Sequence, residues 1–346
     1  MRLGLETESC HLSFQHGRMD IFKFIEFTHE LGLDGVQINI VPDYNLDPNW
    51  GTLGSVDPEH LKKVKALINK YNMYVEIDTK NLEYDHLKEV IEISHLLGAD
   101  IIRTYIPIVS NVRNVVESGS EGAYDPAKIR QDFDPKCFDE GVEKVKKLIP
   151  LLEKYRIKIA LENHEYETSE ELVDVIKKVD SQWIGLHYDF GNSMMVWEEP
   201  VQAAENMAPY TLTTHFKDHI IIEDPSDKYG HVVCGVPAGE GNIDLDEVFK
   251  IMVEKSDLKR INLEMCYPYC AQFKRSPGTG GVFKVGEGAF KVEEQLYDYD
   301  VIKPLQYYYP HEVSEELLED LIVKQIEGVK TGVKYLKKLR DKYCRN

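Results

Sequence analysis

Short runs of β-branched and aliphatic residues alternate with amphipathic helical stretches along almost the whole chain. That alternation limits the fold more than any other feature. Leu3–Glu8, Gly35–Ile40, Tyr74–Asp78, Asp100–Ile106, Lys158–Glu162, Ile184–Asp189, Thr211–His215 and Arg260–Met265 read as eight strands. Helical periodicity spans about Asp20–Leu31, Pro58–Tyr71, Tyr84–Leu97, Phe138–Tyr155, Ser169–Val179, Pro200–Met207, Asp244–Glu254 and Ser314–Lys342. Strands joined by helical crossovers pair in parallel, so eight of them predict a (β/α)8 TIM barrel. A doubly wound open sheet would carry a Gly-rich phosphate turn after its first strand. The sequence Glu6-Thr7-Glu8-Ser9-Cys10-His11 is no such turn. The 346 residues suit one barrel domain with insertions and a C-terminal helix.

Three connections that leave C-terminal strand ends are long: about Pro107–Lys136, Lys217–Asn242 and Cys266–Glu312. This is the rim where such barrels place their chemistry. The insertion at about 266–312 is rich in Gly (Gly278, Gly280, Gly281, Gly286, Gly288) and then in Tyr (Tyr297, Tyr299, Tyr307, Tyr308, Tyr309). Its aromatics argue for a lid or a subunit contact, and an oligomer is expected. The formal net charge of −19 opposes nucleic acid and anionic membrane surfaces as partners, and Lys and Arg are scattered over helix faces without forming a basic groove. The N-terminus lacks an apolar signal-type run, and no segment is apolar enough to span a bilayer. The six cysteines are dispersed and read as reduced thiols of a cytoplasmic protein.

Four successive strands end in metal-ligand chemistry: Glu162, Asp189, His215 and Glu264. Any one carboxylate at a strand end is more often a helix cap or a solvated loop residue. Four suitable ligands on four consecutive strands are far harder to obtain by chance. Side chains alternate along a strand, so Glu162 shares a face with His164, Asp189 with His187, and His215 with Lys217. Three carboxylates and an imidazole converging on the barrel axis would repel unless a cation neutralised them. One divalent metal is expected, Mn²⁺ first, with Mg²⁺, Co²⁺ or Zn²⁺ as alternatives.

The runs Leu161-Glu162-Asn163-His164, Tyr188-Asp189-Phe190-Gly191-Asn192, His215-Phe216-Lys217-Asp218, Pro237-Ala238-Gly239-Glu240-Gly241-Asn242-Ile243-Asp244 and Leu263-Glu264 resemble the successive motifs of the sugar phosphate isomerase/epimerase superfamily, the xylose-isomerase-like TIM barrels. The resemblance covers the register of all eight strands, its specific motifs lying between about residues 158 and 265. It implies that Glu162, Asp189, His215 and Glu264 ligate the metal. Two departures stand out: Asn192 occupies a position where many members carry a second His, and Thr168, with Glu167 one residue short, occupies the place of a second catalytic-type Glu in ketose 3-epimerases.

The chemistry this implies is removal of a proton α to a carbonyl of a sugar or cyclitol through an enediolate, as an isomerase or epimerase. His164 is the expected base, with a second role orienting a carboxylate as the alternative. Lys217 is expected to stabilise an oxyanion or an anionic substrate group. Arg103, His187, Asn192 and Glu240 are candidate substrate-binding residues. For Arg103 the competing reading is a structural ion pair, for His187 a hydrogen-bonded core histidine, and for Glu240 a loop anchor. The resemblance includes the α subunits of bacterial C-glycoside deglycosidases, which cleave 3-oxo-C-glycosides by elimination and work with a small second subunit. A lyase acting on a glycoside, with such a partner, is therefore the alternative. Remoter rivals are an apurinic-site endonuclease-like barrel, disfavoured by the charge and by Glu117, Glu121 and Asp125 in the loops, and a non-catalytic barrel.

Overall fold

The eight expected strands close on themselves. The computed structural model describes residues 1–41, 46–106, 134–225, 227–294 and 314–344. Strands β1 (Arg2–Glu6), β2 (Gly35–Asn39), β3 (Tyr74–Asp78), β4 (Ile101–Thr104), β5 (Lys158–Glu162), β6 (Ile184–Asp189) and β7 (Thr211–Phe216) follow one another around the barrel. After the hairpin β8 (Asp218–Glu223) and β9 (His231–Val236), β10 (Arg260–Leu263) fills the gap between β7 and β1. All eight barrel pairings are parallel, so the strand ends gather on one rim.

The helices form where apolar stripes can bury against this barrel and where caps satisfy their first N–H groups. Asp20 accepts from Lys23 N, and Thr168 forms a reciprocal capping box with Glu171 at the start of the helix Ser169–Val179. The helix Glu315–Tyr343 is capped by Ser314 and buries Leu318, Leu321, Val329, Val333 and Leu336. Gly4 is fixed by space inside the barrel, since a Cβ there would lie 2.2 Å from Tyr74 Oη and 2.4 Å from Asn262 Oδ1. A polar layer lies in the same interior. Buried Glu76 accepts from Thr213 Oγ1 (2.6 Å), Asn262 Nδ2 (2.8 Å) and Gln37 Nε2 (3.1 Å), and pairs with Arg260 Nε (2.9 Å).

Two expectations change. The segment after the seventh barrel strand is not simply a loop. Its β8–β9 hairpin joins β11 (Cys270–Gln272), from the insertion after the eighth barrel strand, in a three-stranded antiparallel sheet. The reading of six reduced thiols is also overturned for one pair. Cys234 and Cys270 sit directly opposite each other across β9 and β11, with Cα atoms 4.1 Å apart, and are joined as a disulfide. Their separation of 36 residues carries no sequence signal; only the strand register brings them together. Cys10, Cys137, Cys266 and Cys344 are free. Most of the connection after β4, with Glu117, Glu121 and Asp125, lies outside the described residues, as do Tyr297, Tyr299, Tyr307, Tyr308 and Tyr309. Among the described residues, no helix is long and apolar enough to cross a membrane.

Candidate metal centre

The register of neighbouring strands decides which side chains meet at the rim. Glu162 on β5 pairs with His187 on β6, Asp189 on β6 pairs with His215 on β7, and Glu264 N follows β10 by donating to Phe216 O. These side chains enter a space closed to solvent: Glu162, His187 and Asp189 are 0% exposed, His215 1% and Glu264 6%. Two triads of potential ligand atoms result, each with mutual distances within 4.8 Å: Glu162–His187–His215 and Asp189–His215–Glu264.

Neighbouring groups aim these side chains by occupying their other polar atoms. Asp189 Oδ1 accepts from Gly191 N (2.9 Å) and Asn192 N (3.0 Å) in the turn after β6. The Asn163 side chain clamps the backbone of Asp189 from both sides, with bonds of 2.8 and 2.9 Å. That leaves Asp189 Oδ2 facing inward. His215 Nε2 lies 2.6 Å from Gln37 Oε1, which makes Nε2 an N–H donor and leaves Nδ1 as the ring nitrogen that faces the carboxylates. His215 Nδ1 then points at Glu264 Oε2 (2.5 Å), Glu162 Oε1 (3.0 Å) and Asp189 Oδ2 (3.5 Å).

This arrangement fits a divalent cation. Glu162 Oε1, Asp189 Oδ2, His215 Nδ1 and Glu264 Oε2 are all buried and converge on one space, where Lys217 Nζ reaches only Asp189 Oδ2 and Glu264 Oε2 among the described residues. Three buried carboxylate oxygens crowd around one imidazole nitrogen, an arrangement stable only with positive charge in their midst. Glu6 and Asp78 add two further buried carboxylates beside the cluster. Burial, together with the charges of Glu264 and Asp78, pushes the Glu6 carboxyl well above its ordinary range. Burial raises Asp78 to about 6, against the opposing pull of Arg103 and His215. Burial works against a charged His215, but the Glu264 charge and the contacts with Asp189 and Glu162 hold it well above its ordinary value.

The cationic side chains at the centre are Arg103 and Lys217. Arg103 Nη1 pairs with Asp78 Oδ1 (2.5 Å) and its Nη2 with Glu162 Oε2. Its guanidinium is thus engaged on both sides, which supports holding a ligand carboxylate more than reaching a substrate hydroxyl. Lys217 Nζ lies 2.7 Å from Asp189 Oδ2 and 2.9 Å from Glu264 Oε2, two of the inward-facing oxygens. His164 is half-buried beyond Glu162, and its ring stacks on Tyr105 (centroids 4.0 Å apart, 8° between planes). Asn192 is buried beside the Asp189 turn. Thr168, in the place of the epimerase-type Glu, is the helix cap, and Glu167 is a buried carboxyl raised to about 8, mainly by desolvation. Glu240 stays apart from the cluster, on an exposed turn lining a cleft with Pro237, Tyr267 and Lys324. His187 differs from a hydrogen-bonded core histidine: neither ring nitrogen has a hydrogen-bond partner among the described residues.

Residues not anticipated from sequence are Glu6, Asp78, Gln37, Tyr105 and Cys266, whose Sγ lies 3.3 Å from Glu264 Oε1. Asp78 ends its strand and was accessible to the same logic that selected Glu162. His219 is a further unanticipated buried group. Its ring packs so closely on Gly191 that any Cβ there would lie 1.9 Å from it, and burial lowers its pKa to about 4.

Residues 25–278 match the family described as xylose isomerase-like TIM barrel. Uncharacterized protein YihM of Escherichia coli (strain K12) is 26% identical over 241 residues, covering 70% of this chain and 65% of that protein. The chain thus spans just under two thirds of the length of that relative. The 3-dehydroshikimate dehydratase of Bacillus anthracis is 21% identical over 257 residues, 70% of this chain and 84% of the relative. Among solved structures, the IOLI protein with a binding zinc atom superposes with a TM-score of 0.58 at 16% identity, covering 99% of both chains.

Proposed function

The chain belongs to the xylose isomerase-like TIM barrel family, and from that premise we propose that it is a divalent-metal-dependent enzyme that removes a proton beside the carbonyl of a sugar or cyclitol, as an isomerase or epimerase. The observation that carries this reading is the buried convergence of Glu162 Oε1, Asp189 Oδ2 and Glu264 Oε2 on His215 Nδ1, at 3.0, 3.5 and 2.5 Å. Glu162, Asp189, His215 and Glu264 would hold the metal, with Mn²⁺ the first expectation and Mg²⁺, Co²⁺ or Zn²⁺ the alternatives. Bound there, a divalent cation supplies Lewis-acid polarisation of a substrate carbonyl.

The remaining steps fall to side chains. An imidazole nitrogen of His164 takes the proton from the carbon next to the carbonyl, leaving an enediolate. The stack on Tyr105 fixes the plane of that ring. Lys217 contributes a buried positive charge that favours the enediolate oxygen. Return of the proton to the neighbouring carbon isomerises, and return from the opposite face epimerises. The cap role of Thr168 leaves the second proton donor of a ketose 3-epimerase without its usual residue.

A second reading is favoured by the relative described as a 3-dehydroshikimate dehydratase. After the same proton removal, a β-substituent leaves with its bonding pair and a C=C bond forms. Cleavage of a 3-oxo-C-glycoside, with a small second subunit, is the form of this reading that extends to a glycoside substrate. One experiment tests both. The protein is incubated in D2O with ketoses, cyclitols and 3-oxo-glycosides, with Mn²⁺ and after chelation. Metal-dependent deuterium at an α-carbon is the expected result, and a β-eliminated product selects the second reading. No exchange and no elimination across the panel would overturn both.

A further inference from the structure

We infer that His187 is a fifth protein ligand of the same cation, an inference that rests on the metal centre proposed above. The register sets His187 level with Glu162, and both point into the barrel. His187 Nε2 lies 3.7 Å from Glu162 Oε1, and its ring meets that of His215 edge to face, with centroids 4.0 Å apart. The imidazole is completely buried, yet neither Nδ1 nor Nε2 has a hydrogen-bond partner among the described residues. An imidazole cannot hide its polarity by rotating, because it always carries at least one N–H and, when neutral, one lone pair. Leaving both ring nitrogens unpaired in a closed interior forfeits the hydration of each, so the position calls for a bound species.

The geometry identifies that species. The triads Glu162–His187–His215 and Asp189–His215–Glu264 share His215. Gln37 occupies His215 Nε2, so His215 Nδ1 is the nitrogen that serves both triads. One imidazole nitrogen binds one ion. The two triads therefore describe a single centre with three carboxylate oxygens and two imidazole nitrogens. Two nitrogens move the donor set away from the oxygen preference of Mg²⁺ and towards Mn²⁺, Co²⁺ or Zn²⁺. Five protein donors would leave an ion that takes six ligands one place for substrate, enough for a carbonyl oxygen but not for a chelating diol.

The test uses the full-length chain, stripped with chelator and reloaded with one equivalent of Mn²⁺. Electron spin echo envelope modulation then counts the coordinated nitrogen-14 nuclei. Two are expected in the native protein, two in His164→Gln and one in His187→Gln. Calorimetric titration with Mn²⁺ should show at least tenfold weaker binding for His187→Gln. A single coupled nitrogen in native protein overturns the inference while leaving the metal centre standing, as expected if a buried water satisfies His187. Two nitrogens retained in His187→Gln also overturn it. Native protein that takes up no Mn²⁺ removes the metal centre and this inference with it. If His187→Gln does not fold, the native count decides together with His164→Gln: loss of one nitrogen in His164→Gln would assign the second ligand to His164 and overturn the inference.

Discussion

Lys217 offers the sharpest test of how the centre balances its charge. Its ammonium touches Asp189 Oδ2 and Glu264 Oε2, the oxygens expected to face the cation, and is only 7% exposed. Burial disfavours that charge, but Asp189 and Glu264 more than offset this and hold it well above its ordinary pKa. In metal-free protein, Lys217→Met should strip two buried carboxylates of their partner. Removing one member of a buried pair costs about 3–5 kcal/mol. With an unfolding entropy of about 2.1 cal/mol/K per residue over 346 residues, this is a fall in Tm of roughly 4–7 °C. A saturating divalent ion brings two charges to the same oxygens, so the loss should shrink to less than half in Mn²⁺. Native protein itself should gain about 2.7 kcal/mol, roughly 4 °C, at a hundredfold excess of metal over Kd. The assay is differential scanning calorimetry of both proteins in EDTA and in Mn²⁺. An equal penalty in the two conditions would refute the reasoning, because it would mean that Lys217 and the ion do not serve the same carboxylates.

Three further outcomes follow from the same geometry. His164→Ala should abolish α-proton exchange yet retain stoichiometric metal, whereas Glu162→Ala should lose both; exchange by mass spectrometry beside metal analysis separates the two roles, and full exchange in His164→Ala would reassign the base. Gln37→Leu removes the acceptor that fixes the His215 tautomer, and should weaken Mn²⁺ binding about 10–100-fold in a calorimetric titration with little change in fold. Glu198 lies outside the centre, buried against Ser169 N and raised to about 7, chiefly by desolvation. Its folded pKa exceeds the unfolded value of about 4.5, so its stabilising contribution is complete below pH 4.5 and lost as the pH rises through 7. Glu198→Gln should flatten that part of the pH dependence, by up to about 3 kcal/mol between pH 4.5 and 8 in urea titrations, and an unchanged slope would show that Glu198 titrates normally.

The barrel was legible because its signal is repeated. Eight strands of the right length, each followed by an amphipathic helix, leave few alternatives, and errors of a residue or two at their ends do not alter the topology. That Glu162, Asp189, His215 and Glu264 would meet was legible for a related reason: each lies at or beside the end of a strand, so strand position and chemical type agree. What the sequence concealed depends on pairing across the sheet. Gln37 and Tyr105 look like ordinary strand residues until register sets one against His215 and the other against His164. Cys234 and Cys270 likewise acquire meaning only when β9 and β11 pair. Hairpin β8–β9 was hidden differently, because its Ile-Ile-Ile and Val-Val runs follow β7 too closely to suggest a separate sheet.

The surplus of carboxylates at the rim ties these observations together. Glu6, Asp78, Glu162, Asp189 and Glu264 crowd one buried space in which Arg103 and Lys217 are the permanently charged cations among the described residues. A chain selected for stability alone would gain by replacing several of these groups with apolar ones, since buried ion pairs seldom repay their desolvation. Neighbours instead hold the group in place: Asn163 and the turn at Gly191 fix Asp189, Gln37 fixes His215, and Arg103 braces Glu162. Rigid placement of buried carboxylates in excess of the cations beside them is the expected form of a site that binds a further cation. The distribution of the two cations sharpens the point. Arg103 braces Glu162 from the side of Asp78, whereas Lys217 lies on the inward oxygens themselves, where an incoming ion must compete with it or share them.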